Sequence, residues 1–146
     1  MFGAKVIYYS ASGSPAQEGY RQVDFDTLLA ESDILSIHAP LNEYTENIMN
    51  ADAFRKMKSD AILLNLGRGP IINEADLADA LNSGEIRAAG LDVLSVEPMV
   101  KNSPLFEVHD KTKLFITPHV AWAAVEARQR LMKIVAGQIK EYFGRA

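Results

Sequence analysis

The stretch Ala61-Ile62-Leu63-Leu64-Asn65-Leu66 is apolar almost without a break and leads directly into Gly67-Arg68-Gly69. A short apolar run that stops at a glycine is typical of a strand buried on both faces of a parallel sheet. Asn73 then predicts the N-cap of a helix that ends at Gly84, and 88–93 is predicted to be the next strand. This strand–helix–strand unit predicts an α/β fold with right-handed crossovers.

The same alternation continues toward both ends of the chain. The segment 4–10 is rich in β-branched and aromatic residues, which predicts a strand, and 24–31 has the apolar spacing of one helical face. The predicted elements are strands at 4–10, 34–39, 61–66, 88–93 and 114–117, and helices at 24–31, 50–58, 73–84 and 121–142. We therefore predict one domain with a parallel sheet and helices on both of its faces.

Composition narrows the function. The chain has 146 residues with 15 basic and 19 acidic side chains, a net charge of -4 that disfavours non-specific binding to nucleic acid. It contains 0 cysteines, which excludes disulfides, thiolate catalysis and cysteine-based zinc sites, and we predict no metal site. Its apolar runs fall far short of the approximately 20 residues that a membrane span needs. A soluble, cytoplasmic domain is the expectation.

Ligands of parallel α/β sheets bind at the carboxyl ends of the strands. The predicted strand ends bring one cation, one carboxylate and one imidazole to that edge, in Arg68, Glu97 and His119. An arginine holds a carboxylate through paired hydrogen bonds, and a histidine is the usual acid or base near neutral pH. These residue types suit proton and hydride chemistry on an anionic substrate.

Each of these side chains also has an ordinary interpretation. Arg68 between two glycines is compatible with a solvated turn residue, Glu97 with a surface loop, and His119 with a cap of the last helix. His38 and Asp92 are compatible with side chains that only satisfy turn amides. Trp122 alone predicts a core or interface residue more readily than a site.

Several sequence strings favour the functional interpretation together. They are Asn65-Leu66-Gly67-Arg68-Gly69, Gly90-Leu91-Asp92-Val93 followed by Glu97-Pro98, Thr117-Pro118-His119-Val120-Ala121, and His38-Ala39-Pro40-Leu41 with Thr45. In their order along the chain, and over essentially its whole length, they closely resemble the D-isomer-specific 2-hydroxyacid dehydrogenases. The strings around Glu97 and Trp122 are most similar to the glycerate dehydrogenase (hydroxypyruvate reductase) branch. The fold implied is Rossmann-like.

The resemblance implies catalytic roles for three residues. Arg68 would bind the substrate carboxylate, His119 would exchange a proton with the 2-oxo oxygen while a nicotinamide delivers hydride, and Glu97 would hydrogen-bond the imidazole. The same resemblance places Trp122 at the substrate pocket and implies a homodimer, with 96–106 and the Trp122 helix as candidate contacts.

The cofactor site predicted in this way is broader. Its residues are Ser10, His38, Ala39, Pro40, Thr45, Leu66, Gly67, Arg68, Asp92, His119 and Ala121. NAD enzymes usually carry an acidic residue at the end of the second strand. Ser10 stands there, followed by Ser12 and Ser14, and no arginine or lysine lies between Lys5 and Arg21. NAD is the expected cofactor, and NADP remains the alternative.

The glycine-rich phosphate loop of such domains, G-x-G-x-x-G, does not occur in the sequence. We therefore interpret 1–146 as a C-terminal fragment of a dinucleotide-binding domain that lacks the first strand, the loop and the substrate domain, and we expect it to be inactive alone. In the strand order 3-2-1-4-5-6, the missing first strand leaves a vacancy between the second and fourth strands. We take 4–10 as the second strand and 34–39 as the third. The fourth strand is then 61–66, and 4–10 and 61–66 border the vacancy. Direct pairing of these edges, a partner chain or exchange between copies would close it.

A second function remains open at this point. A dinucleotide-responsive interaction module without catalysis, similar to a corepressor, would keep the same fold.

Overall fold

The structure is a computed structural model that describes residues 3–144. It contains a two-stranded and a four-stranded parallel sheet. The strands are β1 (Ile7–Tyr8), β2 (Arg21–Gln22), β3 (Ile34–Ile37), β4 (Ile62–Asn65), β5 (Ala88–Leu91) and β6 (Leu114–Ile116), and the helices are α1 (Phe25–Glu31), α2 (Ala51–Lys56), α3 (Glu74–Ser83) and α4 (Val125–Gly144). The four-stranded sheet has the order β3-β4-β5-β6. The predicted α/β class with a parallel sheet is confirmed.

Polar caps fix where the first three helices begin. The side chains of Asp24, Asn50 and Asn73 each accept backbone hydrogen bonds from the first turn of α1, α2 and α3, as their positions predict. Gly84 ends α3 with φ of 79°, a left-handed conformation that glycine adopts without steric cost. These short-range signals explain why the sequence places these helix boundaries to within two residues.

The helices α1, α2 and α3 form one layer on one face of the four-stranded sheet. Phe54, Leu77 and Leu29 are fully buried there against alternate strand residues such as Leu63 and Leu91. Full burial of each such side chain contributes about 1.5–3 kcal/mol. The opposite sheet face is only partly covered in residues 3–144, because the intervening strand residues are half-buried or exposed. The expectation of a strand at 61–66 buried on both faces is therefore wrong, and the packed helical cover lies on one face.

The neighbours of the strand vacancy differ from the prediction. β2 is a two-residue strand that pairs with β1. It is therefore the third strand of the order 3-2-1-4-5-6, the position that the sequence prediction gives to 34–39. β3 pairs with β4 instead, so β1 and β3, not β1 and β4, border the vacancy. A strand of two residues is too short to show a hydrophobic period, so the sequence does not predict it. Without β2, every later strand is numbered one too low in the order. Direct pairing across the vacancy is also wrong, because β1 and β3 belong to separate sheets; closure by a partner or by exchange stays a prediction.

The last helix differs from the others. The sequence predicts this helix over 121–142 with an apolar stripe, but it runs from Val125 to Gly144 and none of its residues is buried. His119 precedes it by six residues and does not cap it. No helix within residues 3–144 has the length and apolar character to cross a membrane.

Two glycines permit close contact between the loops that follow β3, β4 and β5. A Cβ added at Gly67 would lie 3.0 Å from the carbonyl oxygen of Ala39, and one at Gly69 would overlap the carbonyl group of Leu94. Arg68 therefore lies on a segment that is wedged between its two neighbouring loops. This packing fixes the position of the segment more firmly than a solvated turn would be fixed.

We expect Gly69→Ala to destabilise the fold by about 1–3 kcal/mol, because the added Cβ would overlap backbone atoms of Leu94 and Ser95, which must then move. Gly137→Ala is the matched control: its added Cβ meets nothing within 4 Å on α4, and we expect a gain of up to about 1 kcal/mol in the helix. Urea unfolding of both variants measures the difference. Equal stability of the two variants would contradict the close approach at Gly69.

Candidate active site

A carboxylate and an imidazole form a hydrogen-bonded pair after β5 and β6. Nδ1 of His119 lies 2.8 Å from Oε2 of Glu97, and the other carboxylate oxygen, Oε1, accepts the backbone N–H of Leu94 at 2.9 Å. The amide of Leu94 and then the contact with His119 hold the pKa of Glu97 below its usual range, so Glu97 is an anion at neutral pH. Within residues 3–144, Nε2 of His119 has no protein partner and the side chain is 42% exposed. That nitrogen is available to a ligand.

The turn that carries His119 is fixed by a buried carboxylate. Oδ1 of Asp92 accepts the hydroxyl of Thr117 and, at 2.9 Å, the N–H of Val120, while Oδ2 accepts the N–H of Ala121 at 2.9 Å. Burial raises the pKa of Asp92, but the hydrogen bonds from Thr117, Ala121 and Val120 outweigh it and leave the pKa below its usual range. Asp92 thus satisfies turn amides, the ordinary role considered above, and in doing so it connects the end of β5 to the segment after β6.

A second buried polar side chain, Asn65, shapes the Arg68 segment and is not among the site residues that the sequence predicts. Asn65 is fully buried, its Nδ2 donates to the carbonyl of Arg68 at 2.9 Å, and its Oδ1 accepts the N–H of Gly67 at 3.1 Å. The one sequence signal for this role is that Asn65 is a single amide side chain at the end of the otherwise apolar strand β4. The guanidinium of Arg68 is exposed and donates to the carbonyl of Gly67 at 2.8 Å. It makes no hydrogen bond to Glu97 or His119 in this structure.

The other predicted ligand residues line a cleft between β1 and β3. This cleft has a volume of about 500 Å³, and its lining includes Ser10, His38, Ala39, Pro40 and Thr45. Thr45 is buried, and its hydroxyl donates to the carbonyl of Pro40 at 2.7 Å. Nε2 of His38 lies 2.8 Å from the hydroxyl of Ser36.

A chain of hydroxyl groups follows β1 and forms part of the cleft lining. The hydroxyls of Ser10 and Ser12 are 3.2 Å apart, those of Ser12 and Ser14 are 2.7 Å apart, and the N–H of Ser14 donates to Ser10. This turn offers neutral hydrogen-bonding groups with no acidic side chain.

The structure therefore divides the predicted site into two groups. The residues outside the cleft lining are Leu66, Gly67, Arg68, Asp92, His119 and Ala121. They lie on the loops after β4, β5 and β6, together with Glu97. Residues 3–144 contain no group of three or more histidine, aspartate or glutamate side chains placed to hold a metal ion.

A parallel α/β sheet with polar and charged side chains gathered at the carboxyl ends of its strands is typical of a ligand-binding domain of the doubly-wound α/β class. Residues 1–121 match the family described as D-isomer specific 2-hydroxyacid dehydrogenase, NAD binding domain. The chain belongs to this family, as the sequence resemblance implies.

Individual relatives agree with this assignment. A hydroxypyruvate reductase of Blautia hydrogenotrophica is 46% identical over 142 residues, which are 96% of this chain and 43% of that protein. A solved acyclic imino acid reductase in complex with NADPH and D-Arg superposes with a TM-score of 0.84 at 35% identity, covering 97% of this chain and 44% of that one. The NAD-complexed D-isomer specific 2-hydroxyacid dehydrogenase of Lactobacillus delbrueckii ssp. bulgaricus gives a TM-score of 0.82 at 32% identity, covering 97% and 47%. The chain thus spans less than half the length of these relatives.

We expect Asp92→Asn to destabilise the fold by about 1–3 kcal/mol at pH 7, because the amide cannot accept all three donors and places an N–H₂ group against one of them. The native carboxylate, whose pKa is lowered by folding, contributes stability above about pH 4 that is lost as the pH falls through its folded-state pKa. The difference between wild type and variant should therefore narrow below about pH 4. Urea unfolding at several pH values measures it.

Asp110→Asn is the control for this experiment. Asp110 also accepts hydrogen bonds from a neighbouring threonine, Thr112, but it lies in an exposed loop. We expect a smaller loss there, and equal losses in both variants would contradict the role of Asp92 as the clamp of the His119 turn.

Proposed function

We propose that this chain forms the greater part of the cofactor domain of an NAD(P)-dependent oxidoreductase that interconverts a D-2-hydroxyacid and its 2-oxoacid. The observation that carries the proposal is the Glu97–His119 pair, held 2.8 Å apart beside the Arg68 segment. The 46% identity to a hydroxypyruvate reductase supports glycerate and hydroxypyruvate as the substrate pair.

The proton chemistry rests on His119. Its Nδ1 is engaged by anionic Glu97, which fixes the ring orientation and leaves Nε2 to face a substrate oxygen. His119 would then donate a proton to the 2-oxo oxygen in reduction and remove it from the hydroxyl group in oxidation. The bound nicotinamide supplies or receives the hydride.

Arg68 is proposed to bind the substrate carboxylate. Its exposed guanidinium makes one backbone hydrogen bond within residues 3–144, so most of its donors stay available for a paired interaction with a carboxylate. The wedge formed by Gly67 and Gly69 keeps this side chain on the loop beside Leu94, whose amide binds Glu97.

The residues present fit part of a dinucleotide. The cleft volume of about 500 Å³ lies within the range of small-ligand sites, about 300–1,000 Å³. Ser10, Pro40 and Thr45 would hold the half of the cofactor remote from the chemistry, and Leu66, Asp92 and Ala121 would lie near the nicotinamide half. NAD is the proposed cofactor because the serine turn carries no cation for a 2'-phosphate; NADP remains the alternative, and one relative was solved with NADPH.

The proposal extends to the whole protein. We propose that the substrate domain and the phosphate loop are supplied outside this chain, and that the protein acts as a homodimer. Exposed apolar residues within 96–106, namely Val96, Val100 and Phe106, support the second point.

Kinetics of the whole protein test the site. Arg68→Ala should raise the substrate KM about 10- to 100-fold through loss of charge-assisted hydrogen bonds, and His119→Asn should lower kcat about 10²- to 10⁴-fold through loss of the proton donor. Arg130→Ala and His109→Asn, at exposed positions away from these loops, are the matched controls and should leave both constants unchanged. Wild-type kcat/KM in both site variants would overturn the proposal.

The 146-residue chain alone should bind NADH weakly, with a Kd above about 1 mM, because no glycine loop presents amides to the pyrophosphate. Quenching of Trp122 fluorescence during an NADH titration measures this. Micromolar binding would contradict the prediction and would favour a phosphate site rebuilt by a second copy. Tight binding without substrate-dependent NADH oxidation by the whole protein would favour the alternative function, a dinucleotide-responsive interaction module.

A further inference from the structure

The backbone at His119 is unusual for a side chain of its size. Its φ is 53°, in the left-handed region that residues other than glycine rarely adopt. Such a conformation persists only where the surroundings impose it. The polar groups of the turn show what does so.

The two peptide groups that flank His119 are each held by hydrogen bonds. On the N-terminal side, the N–H of His119 donates to the carbonyl of Thr117 at 3.0 Å. On the C-terminal side, one peptide plane contains the carbonyl of His119 and the N–H of Val120, which point in opposite directions. The N–H is held by Asp92 at 2.9 Å, and the carbonyl accepts the indole N–H of Trp122, Nε1, at 2.8 Å. Rotation of this plane would break both contacts.

We propose that Trp122 is a positioning residue for His119: its indole N–H holds the His119 carbonyl and thereby keeps the imidazole aligned with Glu97. This inference rests on the proposed role of His119 as the acid and base. It differs from a substrate-pocket role for Trp122, because it assigns the function to one N–H group and not to the aromatic surface.

The exposure of Trp122 separates this role from a structural one. The side chain is 57% exposed and contributes little to the core. His119 is itself an exposed residue, so we expect water to replace the indole N–H at its carbonyl if that N–H is absent. Loss of that N–H should therefore change the orientation of the turn and leave the stability of the fold nearly unchanged. If Trp122 served mainly to stabilise the core, its substitution would lower the stability of the fold and leave the orientation of the turn unchanged.

In the 146-residue chain, the indole N–H of Trp122 can be replaced selectively with a tryptophan analogue, because Trp122 is the only tryptophan. Biosynthetic replacement by β-(3-benzothienyl)alanine exchanges the indole N–H for sulfur and keeps the ring shape, whereas 5-fluorotryptophan keeps the N–H and serves as the control. The amide and α hydrogens of a residue approach each other at positive φ, so a strong NOE between them in His119 reports the left-handed turn. We expect the benzothienyl form and Trp122→Phe to weaken that NOE, while 5-fluorotryptophan preserves it.

Amide signals of the buried strand β4 show in the same spectra whether each form is folded. An unchanged His119 NOE in a folded benzothienyl form would overturn the proposal.

Kinetics of the whole protein provide the second measurement. Trp122→Phe should lower kcat about fivefold, the value of one ordinary hydrogen bond, with substrate and NADH KM values unchanged. Tyr20→Phe, at another exposed aromatic residue, is the control and should leave kcat unchanged. A rise in substrate KM at constant kcat would show instead that the ring binds substrate, and would overturn the positioning role. If His119→Asn has no effect on kcat, the proposed function fails, whereas the NOE still tests the contact between Trp122 and His119.

Discussion

The candidate site depends most on the hydrogen bonds that the carboxylate of Asp92 accepts. β-sheet hydrogen bonds align β5 and β6, but they end where the strands end, and the segments beyond them need other partners. Asp92 supplies these partners by accepting from Thr117, Val120 and Ala121. A buried carboxylate is costly unless it is hydrogen-bonded in this way. The same three contacts therefore stabilise the carboxylate and determine where His119 lies.

Close backbone contact supplies the second constraint. Gly69 touches the carbonyl of Leu94, the residue whose amide binds Glu97, and Gly67 touches Ala39 at the end of β3. The backbones of the loops after three neighbouring strands thus approach one another closely at the two glycines. Displacement of the Arg68 segment would move the carboxylate partner of His119 as well. Backbone packing therefore links three candidate site positions that are distant in sequence.

The parts of the fold that the sequence predicted are those with strong local signals. Asn50 and Asn73 cap their helices, and the runs at 34–39, 61–66 and 88–93 contain strands because apolar and β-branched residues cluster there. The prediction failed where structure depends on distant partners. β2 exists only through its pairing with β1, and the strand that borders the vacancy follows from that pairing. The contacts of Asn65 and Trp122 with the backbone leave no trace in periodicity, since they depend on the conformation of the turns that they stabilise.

The division of the predicted ligand residues into two groups has a chemical basis. The cleft between β1 and β3 presents apolar side chains and neutral hydroxyls, which suit a planar base and a sugar. The loops after β4, β5 and β6 present charged groups, Arg68, Glu97 and His119, which suit a reacting carboxylate and oxygen. The end of β3 joins the two regions, because the N–H of Leu66 donates to the carbonyl of Ile37 and His38 follows directly. A ligand that uses both regions must be extended, with a neutral end and a reactive end, and a nicotinamide dinucleotide has this form. The central pyrophosphate of such a ligand is usually held by the backbone amides of a glycine-rich loop, and the sequence contains no such loop.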